Sequence, residues 1–318
     1  MDERISCFYR NQEWLSAIEQ SFPRDGNINL GVELKNGILP MVLEHFDIET
    51  RSTTALRFSG VYMSDYLDFD GAESISAEDI AIIVNKAREL GAGFIWLSNI
   101  PIDSAIHERM EEYSKQHEVL FLKCLPTLGV RCEDTFDDYV AALSKNTRRN
   151  IRRKSKAVDE LGASFEIKRA TRDLLASFID LQDKRAKAKN LDSIAENDEV
   201  DTFVKLLIEV GGIYIADLSI RDESVSKLLL LIGNGAIGIF MQGFDPKWSR
   251  FSPSFVNITK LIRYAHENGF SYIDFLRGDE EYKKQFANFR IDMEKCIIII
   301  DKNVMPVQIR RFVDHYEE

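Results

Sequence analysis

Apolar positions recur every three or four residues in some stretches of this chain and alternate or run together in others. The switches between those periods divide it into helices and strands. Phe255, Ile258, Leu261, Ile262 and Ala265 fall on one helical face. Ala236–Phe244 before them is a glycine-containing apolar run, and Phe270–Leu276 after them is a second, both strand-like. Ser252-Pro253 supplies an N-cap and a first helical residue, and Glu267-Asn268-Gly269 supplies an end. The stretch 236–289 therefore reads strand, loop, helix, strand, helix. First-turn N–H groups near Ser254 and Phe255 lack intrahelical partners, so this helix start, with Arg250 and Lys247 beside it, favours an anion such as phosphate.

The same periods organise the rest. Asn11–Phe22 reads as a short amphipathic helix, Leu30–Leu34 and Ile38–Phe46 as a hairpin across Lys35-Asn36-Gly37, and Phe58–Leu67 as an irregular strand. A helix over Ala77–Leu90, a strand over Phe94–Leu97, a helix over Ser104–His117 and a strand over Leu122–Arg131 follow. The helix Phe136–Ser144 leads into a basic segment continuing helically to Leu161-Gly162. Beyond it lie a strand (Phe165–Ala170), helices (Thr171–Asn190 and Val200–Val210) and a strand pair (Ile213–Ser219 and Lys227–Ile232). Strand and helix alternate, which predicts an α/β chain with a mixed sheet in each half and one division near Glu133, giving domains 1–133 and 134–318.

Composition narrows the class. The 318 residues are 45% hydrophobic and 29% charged, enough for two globular domains and without a disordered signature. No apolar run approaches a membrane span and the N-terminus lacks a signal-peptide pattern, so a cytoplasmic protein without membrane insertion is expected. Cys7, Cys124, Cys132 and Cys296 are scattered and the five histidines lack ligand spacing, which predicts free thiols and no metal. A formal charge of −11 argues against general DNA binding. Against that background Lys145–Lys156 is conspicuous, with seven cations and no acid. Arg148 and Arg152, like Arg149 and Arg153, are four apart on one helical face and suit phosphate, although a solvated face is the plainer reading.

Gly233–Gly238 is a literal G-x-G-x-x-G. A dinucleotide site needs that motif to open a helix, whereas here the following residues continue as strand, so Asn234-Gly235 reads as a hairpin turn. No serine or cysteine has a nucleophile setting, which favours direct transfer over a covalent enzyme intermediate.

Three blocks, FDDYVAALSKNTRRNIRRK, GFDPKWSRFSP and YIDFLRGDEEYKKQF, occur in that order. They resemble the acyltransferase fold of the GNAT superfamily, in particular its cellulose-biosynthesis-associated acetyltransferase-like branch, related to the Fem-type aminoacyl transferases. NQEWL at Asn11–Leu15 and FSGVYMSDYLDF at Phe58–Phe69 extend the resemblance to the N-terminal third. The resemblance implies two tandem GNAT-like domains with a cleft between them. It also implies an N-acyltransferase moving an acyl group from acyl-CoA to an amine of a small molecule, sugar or peptide, in polysaccharide or cell-envelope biosynthesis. Gln242, Phe244, Arg250, Ser252, Ser254, Arg277 and Gly278 would bind acyl-CoA; Arg148, Arg149 and Arg152 would hold phosphate or acceptor. Tyr282 would protonate the leaving thiolate, since amine attack on a thioester expels a sulfur anion. Lys283 falls in an aromatic-Lys-x-x-Phe pattern placed at the Fem-type transfer site, and Asp65 would be the base or the ammonium anchor. Packing of Tyr282 with Phe286 beside a solvated Lys283, and a structural role for Asp65, are the plainer alternatives. Aminoacyl transfer from charged tRNA and a non-catalytic ligand-binding protein are the alternative functions.

Overall fold

The computed structural model describes residues 5–24, 26–48, 51–301 and 306–316. In chain order it begins with α1 (Gln12–Ser21), β1 (Ile28–Leu34), β2 (Gly37–Ile48), β3 (Arg51–Phe58), α2 (Ala77–Glu89), β4 (Phe94–Pro101), α3 (Ala105–Ser114) and β5 (Val119–Lys123). Next come β6 (Thr127–Arg131), α4 (Phe136–Ala142), α5 (Lys145–Asp159), β7 (Ala163–Arg169), α6 (Arg172–Lys189), α7 (Asp198–Leu206), β8 (Ile213–Ile220), β9 (Glu223–Gly233) and β10 (Ala236–Phe244). It closes with α8 (Pro253–Glu267), β11 (Tyr272–Arg277), α9 (Glu281–Phe286), β12 (Phe289–Ile291), β13 (Met293–Ile299) and α10 (Pro306–Tyr316).

The strands form two mixed sheets, ordered β1-β2-β3-β4-β13-β5 and β12-β6-β11-β10-β9-β8-β7. Each sheet is the centre of a compact unit, one of Met1–Ala17 with Pro126–Arg290, the other of Ile18–Leu125 with Ile291–Glu318. The sequence suggests one crossing near Glu133; the chain crosses three times, because β13 inserts between β4 and β5 and the residues before Ile18 pack with the later half.

In the six-stranded unit, Phe46, Phe94, Trp96 and Ile297 form a core with Ile309 and Val313 of α10. In the seven-stranded unit, Ile237, Ile239 and Ile273 of the sheet pack with Ile258, Leu261 and Ile262 of α8, Tyr139 of α4 and Phe286 of α9. Helix α6 lies along β10 where a Cβ on Gly243 would stand 2.6 Å from the Gln182 nitrogen, so only glycine allows the approach. Asn234 and Gly235, with φ of 49° and 72°, make the two-residue β9–β10 turn expected of Asn-Gly.

Three elements depart from the sequence reading. The strand expected at Phe58–Leu67 lies earlier, at Arg51–Phe58, where Thr53 and Thr54 favour extension. From Ser59 the chain turns, and a Cβ on Gly60 would meet the Phe58 ring at 2.6 Å. Leu122–Arg131 is two strands serving different sheets, broken by Pro126. Helix 136–161 is two helices, because Leu143 is extended and the Ser144 hydroxyl accepts from the Thr147 N–H at 3.1 Å to start α5 afresh.

Candidate active site

Strands β10 and β11 run parallel but pair only through Ala236–Tyr272, Ile237–Ile273 and Gly238–Asp274. Past Gly238 and Asp274 they part, although β10 continues to Phe244 and β11 to Arg277. A register shift between Ile239 and Met241 breaks the β9–β10 ladder at the same level. The C-terminal ends of parallel strands, with helices starting beside them, are where α/β sheets place ligands.

The β10 end leads through a 3₁₀ turn, Pro246–Phe251, into α8. Helix α8 begins at Pro253, but Ser252 does not cap it with its side chain. Ser252 is left-handed, at φ 53° and ψ 59°, and contributes its carbonyl to the Val256 N–H at 3.2 Å. The first-turn amides of Ser254 and Phe255 have no carbonyl four residues back within the helix. The buried Ser254 hydroxyl and Trp248 indole N–H also lack a hydrogen-bond partner among the described residues. Buried polar groups without partners are exceptional, and these two lie inside the turn rather than on its surface. Arg250 is exposed beside them, its guanidinium 4.5 Å from the Phe251 ring centre. Lys154 of α5 lies 4.2 Å from the Phe255 ring centre, and burial, then Arg153, pulls its amine below the usual lysine range.

The β11 end leads into a tight turn in which Leu276 and Gly278 have φ of 59° and 129°. The Gly278 N–H donates to the Pro126 carbonyl at 2.8 Å. Lys283, 3% exposed, folds back onto this turn rather than into solvent. Its ammonium donates to the carbonyls of Leu276 at 3.2 Å and Arg277 at 2.7 Å and lies 2.9 Å from the Glu280 carboxylate. An ammonium has three N–H groups, and all three are occupied.

Tyr282 is mostly buried and hydrogen-bonds with the Gln242 side chain at the end of β10. Burial, then the nearby Glu280 charge, pushes its phenol well above the ordinary tyrosine range, so it is protonated near neutral pH. Phe244 carries Lys189 of α6 at 5.8 Å from its ring centre, and Arg185, one turn earlier on α6, lies beside Tyr282 and Glu280.

The expected residues thus separate. Gln242, Phe244, Arg277, Gly278, Tyr282 and Lys283 gather around the parting strand ends, and Arg250, Ser252 and Ser254 around the start of α8. Arg148 is turned elsewhere: its guanidinium donates to the carbonyls of Ala141 and Leu143 at 2.7 and 2.6 Å, closing α4, so it is not an open phosphate fork. Arg149 and Arg152 are exposed. Asp65 belongs to the six-stranded unit, half-buried in the bend after Met63. Sequence reasoning missed Arg185 and Lys189; their spacing of four on a predicted helix was the available signal. It also missed Asn257, whose amide ties α8 to the carbonyls of Ala216 and Ser226 at 3.2 and 3.0 Å. Among the described residues no group of three or more His, Cys, Asp or Glu is arranged to hold a metal, and no helix is long and apolar enough to cross a membrane.

Residues 145–284 match the family model of the acetyltransferase (GNAT) domain. No curated protein matches the sequence. Among solved structures the chain is similar to FemX, at 10% identity and a TM-score of 0.65 over 95% of this chain and 98% of that one. A conserved protein of unknown function from Bacteroides thetaiotaomicron aligns at 11% identity and 0.58, over 92% and 95%. The C-terminal domain of an Agrobacterium fabrum protein named as a lysylphosphatidylglycerol synthetase aligns at 12% identity and 0.58, over 93% and 90%. At these identities the likeness speaks to the fold, which is two tandem GNAT-like sheets.

Proposed function

Taking as premise that residues 145–284 form a GNAT-superfamily domain within a FemX-like fold, we propose that this protein transfers an acyl group from acyl-CoA to an amine. The observation that carries the reading is the start of α8. First-turn amides without intrahelical partners, with an exposed arginine beside them, suit a pyrophosphate. The acyl carbonyl would then reach the parting of β10 and β11. The neutral amine attacks that carbonyl directly and the carbon–sulfur bond breaks as Tyr282, kept protonated by its burial, gives its proton to the departing thiolate; the proton shed by the new amide nitrogen returns through solvent to the phenolate. Lys283 has no donor left for the substrate, so its assigned part is to hold the 276–278 turn against α9.

Aminoacyl transfer from charged tRNA is the second reading. It is favoured by Arg149, Arg152 and Arg153, exposed along α5 without an acidic partner among the described residues, and by the fold shared with FemX. Both donors are intracellular reagents, so the activity we propose is a cytoplasmic one, and the resemblance of the motifs supports polysaccharide or cell-envelope precursors as acceptors. A thermal-shift panel of acyl-CoAs, free nucleotides and tRNA separates the readings. Acyl-CoA is expected to raise the melting temperature, and Arg250→Ala should weaken its binding by roughly 1 to 3 kcal/mol, the scale of a lost charged hydrogen bond. A shift with charged tRNA alone would put the aminoacyl reading first, and unchanged acyl-CoA affinity in Arg250→Ala would remove the donor from this loop.

A further inference from the structure

Two cations of α6 are placed as if for a ligand. Arg185 is half-buried beside Tyr282 and Glu280, and Lys189 stands one turn further along the same face, over Phe244. Elsewhere on α6 the lysines are matched to acids, Lys184 to Asp180 at 2.7 Å and Lys187 to Asp183 at 2.7 Å. Neither Arg185 nor Lys189 has a hydrogen-bond or ion-pair partner among the described residues. The acid facing them from α9, Glu280, lies 2.9 Å from the Lys283 ammonium. Of the other titratable groups around them, Tyr282 stays neutral and Asp245 lies 4.0 Å from Lys184 and 3.6 Å from Lys247. Burial draws the half-buried Arg185 below its ordinary value, and Lys189, though exposed, is also lowered, by partial desolvation and then by Arg185. A half-buried guanidinium whose facing carboxylate, Glu280, is shared with Lys283, set one helical turn from a second cation, leaves net positive charge that an anionic ligand would match.

We propose that Arg185 and Lys189 form an oxyanion-binding pair at the parting of β10 and β11, and that the acceptor carries a carboxylate or a phosphate besides its amine. This rests on the acyl-transfer reading and adds the acceptor's chemical class. An amine held by its own anion would be presented at Tyr282 in a fixed orientation, which lowers the entropic cost of attack. The guanidinium provides a planar fork and the ammonium a point charge, a combination suited to either oxyanion.

The test measures binding without any donor, by calorimetry, using amines that differ only in the anion. Glycine against glycine methyl ester reports a carboxylate, and glucosamine 6-phosphate against glucosamine reports a phosphate. One anionic member is expected to bind at least about tenfold tighter than its neutral partner, and the pair that shows this identifies the anion. Arg185→Gln and Lys189→Gln should each reduce that preference on the order of 10-fold or more, the scale of a charged hydrogen bond, while Lys189→Arg keeps most of it. Lys168→Gln, an exposed change on β7, should leave it intact. Equal binding of both members of both pairs by the wild type would overturn the proposal, as would an unchanged preference in the two glutamine variants. Weakened acyl-CoA binding with an unchanged anion preference in Arg185→Gln would assign the pair to the donor and overturn it too. If acyl-CoA fails to bind the wild type while the Arg185-dependent preference stands, the acyl-transfer reading falls and the anion site survives.

Discussion

At the scale of single residues, the candidate site turns on two neighbours with opposite fates. Tyr282 ends in a hydroxyl held by Gln242, while Lys283 ends in an ammonium already spent on its own backbone. Tyr282→Phe removes the proton donor without altering shape, so turnover with the productive donor should fall about 10²-fold or more with little change in KM. Because burial raises the phenol, the protonated form persists further into alkali than for an ordinary tyrosine. Any alkaline loss of rate belonging to this group should therefore begin above the usual tyrosine range; a pH–rate profile with an ordinary tyrosine limb would argue against the assignment. Lys283 makes the contrary prediction to a point charge at the reacting carbonyl. Lys283→Met keeps the stem but loses three hydrogen bonds and leaves two carbonyls short of donors, so it should cost about 1 to 3 kcal/mol of stability as well as rate. Lys283→Arg should not recover it, since a planar fork does not match three convergent acceptors. Recovery of activity by arginine at wild-type stability would return Lys283 to the chemistry.

At the scale of elements, much of this site was legible because its signals are local. The Asn-Gly turn, the start of α8 at Pro253 and the strand–helix order from Ala236 follow from turn chemistry and periodicity within a few residues. What the sequence concealed depends on partners far along the chain. Arg148 has the spacing of a phosphate fork, yet the neighbouring α4 terminus claims it first. Arg185 and Lys189 look like ordinary surface cations until β10 and α9 are set against α6. Gly243 shows the same limit: nothing around it announces that α6 packs on its α-carbon. Gly243→Ala would place a methyl 2.6 Å from the Gln182 nitrogen and 2.8 Å from the Leu181 carbonyl carbon, both backbone atoms that cannot rotate away. A destabilisation of about 1 to 3 kcal/mol by denaturant titration is expected, with lower activity because the cation pair on α6 moves with the helix. Wild-type stability in this variant would show that α6 is not seated on β10 in the way described.

At the scale of the molecule, residues 5–17 lie far from the GNAT domain in sequence yet belong to its compact unit. Ile5 donates its N–H to the Tyr272 hydroxyl on β11 and packs against Gly238 of β10, at the last paired level before the strands part. Trp14, wholly buried, meets Phe203 of α7 and Phe240 of β10 edge-on at 5.1 and 5.3 Å between ring centres, with Phe8 and Tyr9 completing the cluster. The residue that adjoins the β10 irregularity is thus backed by a side chain more than two hundred positions earlier. Removing that backing leaves a void between Phe203 of α7 and Phe240 of β10. Trp14→Ala should accordingly cost about 3 to 5 kcal/mol, the usual range for emptying a large aromatic site in a core. A fragment of residues 126–290 should fold poorly by itself and regain protection of the β10 and β11 amides when a peptide of residues 1–17 is added, as read by hydrogen exchange. A fragment that folds and protects those amides without the peptide would mean that the later sheet holds its own parting, and that the early residues only cover it.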